Sequence, residues 1–107
     1  MATRGRRARV TFVRIGLKPT AKRQITAIRR WFRSRGRAAV FDAELDAVLA
    51  ILAAHPEAGH VYGPMPGFRR ILMERVQHYV YYRFEQSEGI LWLAAVWSTT
   101  RGRPPRL

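Results

Sequence analysis

The eight residues Ile90-Leu91-Trp92-Leu93-Ala94-Ala95-Val96-Trp97 carry no polar side chain. Residues alternate across a strand, so both faces of this one are apolar and both must be covered. The run therefore predicts a central strand, with Trp97 as its last core residue. It is far too short to cross a bilayer. Two strand-like runs lead into it. Phe68-Arg69-Arg70-Ile71-Leu72-Met73 is the first and His78-Tyr79-Val80-Tyr81-Tyr82-Arg83-Phe84 the second. Strict alternation puts Val80, Tyr82 and Phe84 on one face and Tyr79, Tyr81 and Arg83 on the other, one side greasy and the other aromatic and basic. Glu85 to Gly89 reads as the turn between the last two strands.

The first half of the chain reads differently. Residues 9–15 alternate with β-branched side chains and predict an opening strand. Lys18-Pro19-Thr20 predicts a turn, with Thr20 as a helix N-cap. Ile25, Ile28 and Phe32 then recur at helical spacing over 21–35 with Trp31 beside them, and Gly36 is placed to end that helix. Phe41, Leu45, Val48, Leu49 and Leu52 make a stronger apolar stripe over 39–54. Asp42, Glu44 and Asp46 lie in its first two turns, where the helix dipole favours negative charge. The loop between the helices is short, which predicts an antiparallel hairpin. Residues 55–67 hold three Gly and three Pro and read as a loop. The order is β-α-α-β-β-β: an α+β fold with a helical hairpin packed on a mainly antiparallel sheet of about four strands.

Charge narrows the function. The chain has 107 residues, room for one domain, and a net charge of +13. Residues 1–37 hold 13 of the 20 Lys and Arg and no acid, while 38–107 are neutral. Such a field attracts polyanions: nucleic acid, a ribosome or an acidic protein segment. Three parts are expected: a basic flexible arm over 1–8, a domain over 9–100, and a basic, proline-containing tail over 101–107. Arg4, Arg6, Arg7 and Arg9 are not followed by an apolar signal core, so a cytoplasmic protein is expected. With no cysteine there is no thiolate chemistry, and the three histidines lack metal-ligand spacing. No cofactor and no metal are expected. Gly-rich phosphate loops, HExxH and nucleophile elbows are absent.

Several phrases, in this order and spacing, resemble the RelE/ParE superfamily of type II toxin–antitoxin toxins, most closely its ParE branch. They are Ile28-Arg29-Arg30-Trp31-Phe32, Phe41-Asp42-Ala43-Glu44-Leu45, His55-Pro56-Glu57-Ala58-Gly59, Pro66-Gly67-Phe68-Arg69-Arg70-Ile71-Leu72, Tyr79-Val80-Tyr81-Tyr82-Arg83, the apolar run ending at Trp97, and Arg101-Gly102-Arg103-Pro104-Pro105. The resemblance spans about residues 9–107. It implies a toxin held inactive by a cognate acidic antitoxin, whose other half binds operator DNA, so that the toxin meets that DNA only indirectly. RelE-like members cut mRNA in the ribosome; ParE-like members poison DNA gyrase.

Metal-independent RNA cleavage needs a base, an acid and cations for the charge building on phosphorus. The matching strand cations are Arg69, Arg70 and Arg83. Ser98 stands after Trp97, where the family often carries histidine, and a serine hydroxyl moves no proton near neutrality. That weighs against RelE-type chemistry, and the resemblance to the ParE branch implies, as the leading expectation, a gyrase-directed, non-enzymatic toxin. The alternative is a ribosome-dependent endoribonuclease using Arg70, Arg83 and Tyr81. A plain nucleic-acid or ribosome-binding module is the third reading. Arg69, Arg70, Arg83, Arg101 and Arg103 are candidates for contacting the target or nucleic acid, and Arg23, Arg30, Arg33 and Trp31 for the antitoxin. Plainer roles compete. Arg69 and Arg70 leave opposite faces of one strand, so one of them would pair with a helix acid such as Asp46 or stay solvated. Arg83 would stack on Tyr81. Trp31, Phe32, Trp92 and Trp97 would be core.

Overall fold

The computed structural model describes residues 12–107. Its elements are β1 (Arg14–Leu17), α1 (Pro19–Arg33), α2 (Ala38–Ala54), β2 (His60–Val61), β3 (Arg69–Met73), β4 (His78–Glu85) and β5 (Ile90–Ser98). The strands form one sheet in the order β1-β5-β4-β3-β2, with β1 parallel to β5 and the other pairs antiparallel. The two helices cover one face.

The α+β reading holds, with five strands rather than about four. The addition is β2, inside the segment read as a loop: His60 pairs with Arg70 and Val61 with Arg69. Two residues carry no periodicity, so only the neighbouring strand decides their conformation. The opening strand is also displaced. It was expected over 9–15, of which 9–11 lie outside the described residues; among those described it begins at Arg14. Pairing explains the shift. Gly16 lies under the Trp92 ring, and a Cβ at that position would collide with it. Trp92 can lie flat only where β1 offers a glycine.

α1 starts one residue before the expected cap. Pro19 takes its first turn, where a missing N–H costs nothing, and Lys18 is the N-cap without a side-chain cap bond. Gly36 at φ +70° carries the chain out of the helix as expected. α1 buries Ala21, Ile25 and Phe32, and α2 buries Phe41, Leu45, Val48 and Leu52. These side chains meet Met73, Val76, Val80, Tyr82, Leu91, Leu93 and Val96 in one core between the helices and the sheet.

β5 breaks its own alternation. Tyr81 pairs with Ala95 but Tyr82 pairs with Leu93, leaving Ala94 as the extra residue of a bulge. Before the bulge Leu91 and Leu93 face the helices; after it Val96 does, and Ala95 and Trp97 face away. Strict alternation would have aimed Trp97 into the main core; the bulge turns it out. β1 has ended by this point, and the Val96 amide donates instead to the Gln24 side chain of α1 at 2.8 Å.

Two further aromatic assignments change. Trp31 is half exposed on α1, with the Arg35 guanidinium stacked 3.7 Å from its ring. Trp92 lies on the sheet face away from the helices, beneath the Lys18 ammonium at 4.5 Å. Only Phe32 of the four belongs to the main core.

Candidate functional site

The sheet face away from the helices carries the candidate chemistry. Tyr62, Tyr81 and Ala95 form a second small buried cluster there, with Phe68, Tyr79, Trp97 and Leu107 packed around it. The C-terminal segment closes over this cluster rather than leaving the domain. The Trp97 indole N–H donates to the Arg103 carbonyl at 2.8 Å, Arg101 stacks 4.0 Å from the Trp97 ring, and Pro105 is buried.

Arg70 projects from β3 into the aromatic group. Its guanidinium lies 4.0 Å from the Tyr79 ring centre and 5.5 Å from that of Tyr62, and donates to the Tyr81 hydroxyl at 3.1 Å. That hydrogen bond, with the electron-rich phenols nearby, holds Arg70 still more firmly in its charged form than usual. Among the described residues no carboxylate pairs with it. Arg70, Arg101 and Arg103 share a cleft of about 240 Å³ with Tyr62, Tyr79 and Trp97. By composition the cleft offers cations for charge and aromatic faces for stacking.

Ser98 lies at the same cleft, committed to its own turn. Its hydroxyl is 2.8 Å from that of Thr100 and accepts the Thr100 amide at 3.2 Å. His78 is on the other side of β4, against the rings of Phe32 and Phe41, with Nδ1 2.8 Å from the Val76 carbonyl. Burial pushes its pKa below the ordinary imidazole value, the Arg101 charge adds to the effect, and the Val76 contact opposes it. His60 is placed differently. It sits directly across from Arg70 in the β2–β3 pair, so both side chains leave the same face. Nothing in its loop-like sequence context signalled this.

The other candidates separate. Arg83 does not reach the Arg70 cleft and does not stack on Tyr81. It is 5.8 Å from the Phe68 ring centre, pairs with Glu85 at 3.6 Å, and lines a second cleft with Lys18, Trp92 and Arg106. Arg69 faces the other way and binds no helix acid; it donates to the Gly59 and Glu57 carbonyls at 2.8 and 3.3 Å, tying down the loop before β2. On the helical side, Arg23 and Arg30 flank a shallow groove along α1 floored by Thr26 and Ala27, with exposed Trp31 next to Arg30 and Arg33 in the last turn. Lys18, Tyr62, Trp97 and Arg106 join these clefts without having been singled out for them. The bulge places Trp97, the fold-back of 101–107 places Arg106, β2 places Tyr62 and the β1–α1 junction places Lys18, and none of these leaves a pattern in the sequence.

Among the described residues no helix is long and apolar enough to cross a membrane, and no three metal-ligating side chains gather. No curated protein matches the chain. Residues 15–102 match the family model described as the ParE toxin of the type II toxin–antitoxin system parDE. That span runs from β1 through the turn after β5 and takes in both helices and the Arg70 cleft except Arg103 and Pro104. The chain belongs to the ParE toxin family of type II toxin–antitoxin systems.

Proposed function

We propose that this toxin arrests growth by inhibiting DNA gyrase and is neutralised by an acidic antitoxin segment bound along α1. ParE family membership supports the target, and the state of Ser98 is the observation that weighs against the nuclease alternative. A nuclease of this architecture needs a proton-transfer group at the strand exit, beside the cations. Here that position holds a hydroxyl engaged with Thr100. Arg70, Arg101 and Arg103 could stabilise charge or grip a partner, but the groups beside them do not form an acid–base pair. Arg23, Arg30 and Arg33, with exposed Trp31, offer an acidic helix or strand both charge and an apolar anchor.

One strand pairing favours a second reading, a ribosome-dependent endoribonuclease. His60 and Arg70 leave the same face of neighbouring strands, where an imidazole would carry a proton while the permanently charged guanidinium stabilises charge on phosphorus.

The test runs two assays on the purified toxin. Under the gyrase reading supercoiling is inhibited, mRNA in a translation extract stays intact by primer extension, and Arg70→Ala or Arg101→Ala weakens the inhibition. Codon-phased cuts that disappear in both His60→Ala and Arg70→Ala, with supercoiling unaffected, would establish the second reading instead. For the antitoxin surface, an Arg23→Glu/Arg30→Glu variant should escape neutralisation while keeping full toxicity.

A further inference from the structure

The cleft that takes Arg83 away from Arg70 has its own chemistry. It has a volume of about 370 Å³, within the range of roughly 300–1,000 Å³ typical of small-ligand sites. Three cations from separate parts of the chain line it: Lys18 between β1 and α1, Arg83 on β4, and Arg106 in the C-terminal segment. Trp92 and Phe68 supply aromatic walls, and Thr20 a hydroxyl. No carboxylate is among the lining residues. The nearest ion pair, Arg83 with Glu85 at 3.6 Å, is half exposed on both sides and weak.

The geometry points to a binding site for a nucleoside phosphate in this cleft, separate from the Arg70 cleft and independent of the toxin's target. Three like charges that share one weak, half-exposed counter-charge at Glu85 repel one another, and a bound anion offsets that cost. Phosphate suits the donors. Arg83 and Arg106 carry planar forks that match its oxygens, and Lys18 adds a compact charge. Phe68, with Arg83 5.8 Å from its ring centre, is the wall that suits a base; Trp92, covered by Gly16 and the Lys18 ammonium, sets Lys18 in place beside it. The volume fits one nucleotide and is too small for a folded acidic peptide. The base and phosphate could come from a free nucleotide or from one residue of a single strand.

The C-terminal segment completes the site. Pro105 is buried and Leu107 packs on the Tyr62–Tyr81 cluster, which brings Arg106 to the cleft from beyond the last strand.

Calorimetry on the full chain with adenosine 5′-monophosphate, adenosine and inorganic phosphate tests this, together with anisotropy of a fluorescent oligothymidylate. The monophosphate should bind measurably and adenosine should not. Arg83→Gln should weaken binding about tenfold or more, the effect of losing one charge-assisted phosphate contact. Arg106→Gln, on an exposed side chain, should do the same and serves if Arg83→Gln folds poorly. Arg70→Gln should leave it unchanged. Competition between monophosphate and oligothymidylate assigns the site to strand residues; monophosphate binding without competition assigns it to free nucleotides. Three results would overturn the proposal: adenosine binding as tightly as its monophosphate, Arg70→Gln weakening binding as much as Arg83→Gln, or hexaglutamate binding more tightly than either phosphate ligand.

Discussion

Tyr82 has no exposed surface, yet its hydroxyl does two jobs. It donates to the Pro56 carbonyl at 2.7 Å and accepts the Gly59 amide at 2.8 Å. Burial raises its pKa above the usual phenol value, against the effect of the Gly59 bond. One side chain of β4 therefore anchors the Pro/Gly-rich segment that leads into β2. Gly59 is required there. A Cβ would stand 2.7 Å from the Tyr82 hydroxyl and 2.8 Å from the Arg70 backbone carbonyl, and backbone does not give way cheaply. Tyr82→Phe leaves a buried amide and carbonyl without their partner, at a cost of about 1–3 kcal/mol. Each kcal/mol lowers the melting temperature of a domain this size by about 4–8 °C. Calorimetric melting should show that fall. A drop under about 2 °C would mean that water replaces the hydroxyl. Gly59→Ala should be worse for function than for stability, because it displaces Arg70 and His60 together.

At the scale of elements, His78 sits where α1, α2 and β4 converge, against Phe32 and Phe41. Its native pKa is depressed, chiefly by burial. The sign follows. As pH falls through about 6.5 the unfolded chain takes up a proton that the native site refuses. The His78 contribution is complete above that pH and is lost progressively as pH drops toward the native value. Urea midpoints between about pH 8 and pH 5 should therefore fall more steeply for the wild type than for His78→Asn. Carboxylates common to both proteins cancel in the difference, and parallel curves would show that the imidazole opens to solvent before it is protonated. Elements also decide what could be read from sequence. Phe41, Leu45, Val48 and Leu52 repeat at helical spacing and so announced α2. The faces of β4 followed from its unbroken alternation. Trp97 misled because one extra residue, Ala94, reverses every side chain after it. β1 and β2 escaped because pairing partners, not their own residues, set their bounds. The Arg70 cleft was legible in its cations and in Tyr79 and Tyr81 of β4, and not in Tyr62, which arrives only through β2, or in Trp97, which the bulge turns toward it.

Over the whole molecule, +13 is the governing quantity. Two salt bridges occur among the described residues, Arg29 to Asp42 at 2.7 Å and Arg83 to Glu85, and both are substantially exposed. Exposed pairs of this kind are each worth about 0–1 kcal/mol. Uncompensated repulsion therefore outweighs attraction within the fold. Raising NaCl from about 0.05 to 0.5 M shortens the Debye length from over 10 Å to a few ångströms and screens that repulsion. The isolated toxin should become more stable, its melting temperature rising by a few degrees. Binding to an acidic partner depends on the same charges and must respond oppositely, with affinity falling steeply over the same range. Opposite slopes for stability and association would mark charge as held for a partner at a cost to the free fold. If salt instead lowered the melting temperature, charge attraction within the fold, its two ion pairs included, would outweigh the repulsion of the net charge.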